Sequence, residues 1–218
     1  MCSREMKILR SPEEEMDAMM YLFQERTSLH RWKPDRVAFM RCLFNTQLIS
    51  AYGKFEGNRR GYKFDNTLLE YGRGELPYNG STGSVSNVDV DRLYVPLFVN
   101  QNHWISMCIN LVNRTVDVFD CGGRKNTRSV EAFAVLIIVK AVQSPDKKKD
   151  YNVKQYIVSY VPIHGLNMSG NDCGAYALKF IECHLLGLDF SLINYENIQE
   201  ARHKIAYDLW EAANNEVL

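Results

Sequence analysis

The chain has 218 residues, 46% of them hydrophobic, and its 26 lysines and arginines are matched by 26 aspartates and glutamates. That is enough apolar material for one sizeable core. The balanced charge supplies no basic field for nucleic acid, and no apolar run reaches the ~20 residues that a membrane-spanning helix needs.

Ser11-Pro12-Glu13-Glu14-Glu15 predicts a helix start, with serine as N-cap, proline in the first turn and acids against the dipole. Met16, Met19, Met20 and Phe23 follow at helical spacing and are expected in the core. A second helix is expected from Pro34-Asp35 through Phe39, Met40, Leu43 and Phe44, with Cys42 as packing and Trp32 as a structural residue. The stretch from Gly53 to Gly61 is polar and glycine-rich, a short amphipathic piece surrounds Leu68 and Leu69, and a long loop is expected from Gly72 to Ser86.

The pattern changes at Arg92. Leu93 to Val99 reads as a strand, Asn100-Gln101-Asn102 as a turn, and His103 to Leu111 alternates in period two. His103, Ile105, Met107 and Ile109 share one face, and Trp104, Ser106 and Cys108 the other. Asn113-Arg114 turns the chain into Thr115 to Asp120, completing a β-meander. A helix from Ser129 through Val130, Phe133, Ile137 and Ala141, a lysine-rich loop over 145–150, and a strand from Gln155 to Pro162 come next. Gly170, Asn171 and Asp172 favour a turn and an N-cap, after which a helix runs from Cys173 to a glycine C-cap at Gly187. A last helix spans Ile198 to Ala213. Helices before and after a central sheet make the class α+β.

The six cysteines are scattered, and residues 1–7 lack the apolar core of a secretory signal. A reducing compartment is therefore expected, with no disulfide framework. No CxxC or Cys/His pair has zinc spacing, so neither metal nor cofactor is expected. Cys173 is the exception by position, because a helix N-terminus favours the thiolate that attacks carbonyls. His103 at a strand start and Asp120 at the end of the neighbouring strand could supply a base and its orienter. Each residue alone is more often packing or turn, and sequence alone does not bring Cys173 to the other two.

His103-Trp104, Val118-Phe119-Asp120 and Gly170-Asn171-Asp172-Cys173-Gly174, in this order and spacing, resemble the ubiquitin-like-protein (SUMO) protease family of cysteine peptidases. Gly74-Glu75-Leu76-Pro77 and Leu178 to Cys183 look most like its plant members, many of them carried by transposons. The resemblance implies a papain-like α+β fold with a central, mostly antiparallel sheet flanked by helices. It implies one catalytic domain over 1–218, mainly helical over 1–90, with the sheet and catalytic helix over 91–218. It also implies cleavage after the C-terminal glycine of a SUMO-like modifier, a monomer without nucleic acid, membrane or cofactor, and nuclear residence. By position, Cys173 is the nucleophile, His103 the base and acid, and Asp120 the orienter, while Trp104 walls the channel for the substrate's glycine pair. Asn167 stands where the family has a glutamine that donates to the oxyanion, and Ile8 to Ser11 contain no tryptophan where the family has a Trp-Leu pair. These departures favour, as the alternative, a weakened domain that binds a modifier without efficient cleavage.

Overall fold

The computed structural model describes residues 11–34, 36–57, 90–100, 102–123, 130, 157–163 and 165–214. The long loop over 72–86, the helix beyond Val130 and the lysine-rich loop of the sequence reading lie outside the described residues, as do Leu68, Leu69 and residues 1–10.

Helix α1 (Pro12–Ser28) opens with the reciprocal cap that its sequence encodes. The Ser11 hydroxyl accepts the Glu14 N–H and the Glu14 carboxylate accepts the Ser11 N–H, each at 3.2 Å. Its stripe of Met16, Met19, Met20 and Phe23 is buried. The expected second helix is corrected: Val37–Phe39 form a strand, β1, and α2 (Cys42–Gly57) starts afterwards, running into the stretch read as polar and glycine-rich. Long-range pairing overrides local pattern here. Arg36 places Nε and Nη2 each 2.7 Å from the Asp91 carboxylate, and the Met40 N–H donates to the Tyr94 carbonyl at 2.8 Å. Together they hold β1 parallel to β2 (Arg92–Val99).

The sheet has the order β1-β2-β3-β4-β5, where β3 is His103–Asn110, β4 Thr115–Phe119 and β5 Ile157–Tyr160. The central meander is antiparallel, with Val99 opposite His103 and Ser106 opposite Phe119. Both outer pairs are parallel and shorter, so the sheet is mixed around its antiparallel centre. Parallel pairs need long connections, and β1 and β5 are the strands reached that way.

Helix α3 (Cys173–Leu186) lies on β3, where the buried Ser106 hydroxyl donates to the Ala177 carbonyl at 3.0 Å. Trp104, Cys108 and Phe119 share one core with Tyr176, Phe180 and Ile181 of α3 and Met16, Met20 and Phe23 of α1. Ile105, Met107, Val116 and Val118, on the other face of the strands, are fully buried too. Each such side chain contributes ~1.5–3 kcal/mol, so the strands that end at His103 and Asp120 are held from both sides. Gly187 ends α3 at φ 66°, the left-handed conformation that favours glycine. A short 3-10 turn, Phe190–Leu192, leads to α4 (Ile198–Asn214), tied to α1 by Arg26 at 2.9 Å from the buried Asp208. No described helix is long and apolar enough to cross a membrane.

Candidate active site

Strands β3 and β4 bring His103 and Asp120 together, with His103 Nε2 2.7 Å from Asp120 Oδ1. Their register explains this, because the pairing of Ser106 with Phe119, carried one step on, sets Asp120 across from Ile105, two residues along from His103 on the same face. Asp120 is 5% exposed and also accepts the Gly122 N–H at 2.8 Å on the same oxygen. A side chain at position 122 would crowd the pair, since a Cβ there would lie 3.2 Å from Asp120 Oδ1 and 3.4 Å from His103 Nε2.

Cys173, the first residue of α3, stands beside the same imidazole, close enough that each shifts the other's proton equilibrium. Burial pushes the Cys173 thiol up, but the bond from His103, the backbone N–H groups of Trp104 and Gly174 and the nearby imidazole charge outweigh it and leave the thiol below its ordinary value. His103 is pushed up to about 9, chiefly by its hydrogen bond to Asp120 and then by the one to Cys173. The two opposite shifts favour a thiolate beside an imidazolium, and the imidazole keeps its charge up to about pH 9. The other described cysteines go the opposite way. Burial raises Cys108 and Cys121 to about 12 and also raises Cys42 and Cys183.

The turn before Cys173 is built from side-chain bonds to backbone. The Asp172 N–H donates to Asn167 Oδ1 at 3.1 Å, the Asn171 N–H to Ser169 Oγ at 3.1 Å, and Gly170 takes φ 77°. Asp172 stands at the N-cap position of α3 but makes no capping bond through its side chain. Its carboxylate, 1% exposed, is recruited by Arg202 Nη1 at 2.8 Å and Gln199 Nε2 at 3.4 Å from α4, and by the Ser169 hydroxyl. The first N–H groups of α3 are thus left uncapped by that carboxylate beside the sulfur.

Asn167 is near the turn before Cys173, with its carbonyl oxygen committed to the Asp172 N–H. Trp104 is 5% exposed, its ring centroid 4.9 Å from that of Phe98, and its Cδ1 would lie 3.6 Å from a Cβ at Gly174. Sequence reasoning missed Arg202, Gln199 and Gly122. The first two sit on an ordinary polar helix face about thirty residues from Asp172, a separation that carries no local signal.

A model of the Ulp1 protease family, C-terminal catalytic domain, matches residues 12–217. The ubiquitin-like-specific protease 1A of Arabidopsis thaliana is 22% identical over 178 residues, which cover 81% of this chain and 32% of that protein. The chain therefore spans about a third of the length of this curated relative. Among solved structures, the C-terminal Ulp1 protease domain in complex with Smt3, the yeast ortholog of SUMO, superposes with a TM-score of 0.58 at 14% identity, over 93% of this chain and 77% of that one. The SUMO protease Ulp1 with its catalytic cysteine oxidised to a sulfenic acid gives 0.62 at 15% identity, over 93% and 78%. At these identities the superpositions speak for the fold.

Proposed function

The chain belongs to the Ulp1 protease family, and from that premise we propose that it is a cysteine-type peptidase hydrolysing the peptide or isopeptide bond after the C-terminal glycine of a SUMO-like modifier. The Cys173 thiolate attacks the glycine carbonyl, forming the S–C bond as the carbonyl electron pair moves onto oxygen. The Cys173 backbone N–H and the Asn167 amide donate to that oxyanion. Its collapse breaks the C–N bond, and the leaving amine takes the proton from His103. Neutral His103 then draws a proton from water as the water oxygen attacks the thioester, and collapse releases the modifier carboxylate and restores the thiolate. Asp120 holds the imidazole's orientation and tautomer throughout. Trp104 walls the channel that admits the glycine pair.

The observation that carries this reading is that one imidazole meets both the buried Asp120 carboxylate, at 2.7 Å, and the Cys173 sulfur, whose pKa it lowers. The reading extends to one catalytic domain over the chain, acting as a monomer inside the nucleus, with its origin among the plant, transposon-carried members of the family. The test is a panel of SUMO, ubiquitin and related modifiers bearing electrophiles at their C-terminal glycine. A SUMO adduct mapped to Cys173, lost in Cys173→Ala, is the expected result. Binding of the modifier without an adduct on any member of the panel would overturn it in favour of a binding domain of weakened activity, the reading that Asn167 in place of glutamine favours.

A further inference from the structure

The proposed mechanism uses Cys173 and leaves a second buried thiol beside the same pair idle. Cys121 directly follows Asp120, is 1% exposed, and accepts the Leu166 N–H on its carbonyl at 3.2 Å, which fixes it under the segment leading to the nucleophile turn. The ligand-capable atoms of His103, Asp120 and Cys121 all lie within 4.8 Å of one another. No short sequence spacing announces this group, because its members come from two neighbouring strand ends rather than one loop.

The geometry points to a divalent-metal site formed by His103, Asp120 and Cys121, which takes a borderline-soft ion such as Zn2+ and turns the catalytic pair off while the ion is bound. Zinc bonds run ~2.3 Å to sulfur and ~2.0–2.2 Å to nitrogen and oxygen, so tetrahedral ligands stand about 3.5 Å apart. The His103–Asp120 contact would open by about 0.8 Å and Cys121 would close by up to about 1.3 Å to reach that separation. The ligand set suits burial. One thiolate and one carboxylate neutralise the two charges of the ion, and imidazole adds none, so the filled site carries no net charge into a shielded place. An imidazole, a thiolate and a carboxylate are also the ligand types that zinc takes.

Binding replaces protons with metal. Cys121 gives up its thiol proton and His103 Nε2 the proton it shares with Asp120, while the remaining ring proton stays on Nδ1. The ring then carries a single proton, and handing it to a leaving amine would leave the imidazole an anion, so the filled site deprives the proposed mechanism of its acid without the ion touching Cys173. Because binding releases these protons, it strengthens with pH. The metal site stands on the geometry alone, and only its effect on turnover rests on the proposed function.

The test uses Co2+ as a spectroscopic probe in the full chain carrying Cys173→Ala, so that a signal cannot come from the nucleophile. A thiolate-to-cobalt charge-transfer band that saturates at one equivalent, and that Zn2+ displaces, is expected. Adding Cys121→Ser should abolish that band and weaken Zn2+ binding at least ~10–100-fold, the loss seen even for groups that merely support a ligand. Cys121→Val serves where the serine variant loses its native circular dichroism. No band in the Cys173→Ala protein, or one that survives removal of Cys121, overturns the site. With the nucleophile present, Zn2+ should stop turnover of a modifier-linked substrate reversibly, and Cys121→Ser should relieve the inhibition. Equal inhibition with and without Cys121 would show that the ion acts directly on Cys173 and would overturn the switching role.

Discussion

Cys42 and Cys173 each open a helix, each is 7% exposed, and each packs into the same core, yet their thiols are driven in opposite directions. At Cys42 burial dominates, and the carboxylates of Asp17 and Glu13 on α1 add to it. The Asp17 carboxylate takes the Cys42 N–H at 2.6 Å, so the donor end of the helix serves an anion other than the sulfur. At Cys173 burial acts the same way, but the neighbours are an imidazole and backbone N–H groups. A helix N-terminus therefore does not activate a thiol by itself. The sign of the charge set opposite it decides, and at Cys173 the strand ends of β3 and β4 set that sign.

The largest effect should come from removing the imidazole. His103→Ala should lower turnover ~10^4–10^6-fold and return the alkylation midpoint of Cys173 toward the ordinary thiol range near ~8.5, making it resemble Cys42. An unchanged midpoint, read from the pH dependence of iodoacetamide labelling, would show that the helix end is sufficient. The same pair sets the pH window. With His103 raised from 6.5 to about 9, the imidazolium's contribution to stability is complete below pH 6.5 and is lost as pH climbs through about 9. Activity should fall on the alkaline side near that value, and Asp120→Asn should bring that limb to lower pH.

Next in size is the oxyanion side. Asn167→Ala removes both the amide proposed to donate and the carbonyl that holds the Asp172 N–H at 3.1 Å. Losing one such donor costs ~3 kcal/mol, so kcat should drop ~100-fold with KM little changed. Asn167→Gln should raise kcat by reaching further. Should neither substitution move kcat in an active enzyme, Asn167 has no part in holding the oxyanion.

The converse experiment is performed on Cys42. Asp17→Asn removes a carboxylate from its environment and should speed Cys42 alkylation by ~10-fold, the change that one pKa unit produces. Cys42 should still lag Cys173, because burial is the larger cause and no imidazole replaces the aspartate. Mass mapping of the labelled peptides separates the two thiols, and parity between them would refute the assignment of causes.

The two cysteines also divide what could be read in the chain. The surroundings of Cys173 were partly legible because the signals are local: period-two strands ending at His103 and Asp120, a glycine turn, and a helix that stops at Gly187. Those of Cys42 were not. Its helix was expected to start at Pro34-Asp35, but β1 has only three residues, too few to display a period, and is defined by Arg92 to Tyr94 some 55 positions away. Asp17 likewise reaches Cys42 across 25 positions. The side-chain role of Asp172 was not legible for a similar reason. As an N-cap it needed only its own helix, whereas the structure commits it to α4.

That commitment gives the smallest effect and the finest test. Arg202 Nη1 lies 2.8 Å from the Asp172 carboxylate, which is 1% exposed, while Arg202 itself is 51% exposed. A hydrogen bond to a charged group contributes ~1.5–3 kcal/mol, and the exposure of the arginine favours the lower end. Arg202→Ala should therefore lower Tm by a few degrees at ~2–4 °C per kcal/mol. Asp172 precedes Cys173 directly and its N–H is held by Asn167, so a slackened carboxylate lets the Cys173 N–H drift from the oxyanion. If α4 positions the nucleophile turn, Arg202→Ala should lower kcat several-fold at constant KM, and Arg202→Lys should recover part of it by restoring the charge without the guanidinium geometry. A loss of Tm with kcat intact would mean that the bridge ties α4 to the core and nothing more. The Cys173 environment would then be set by the β3 and β4 strand ends and its own turn alone.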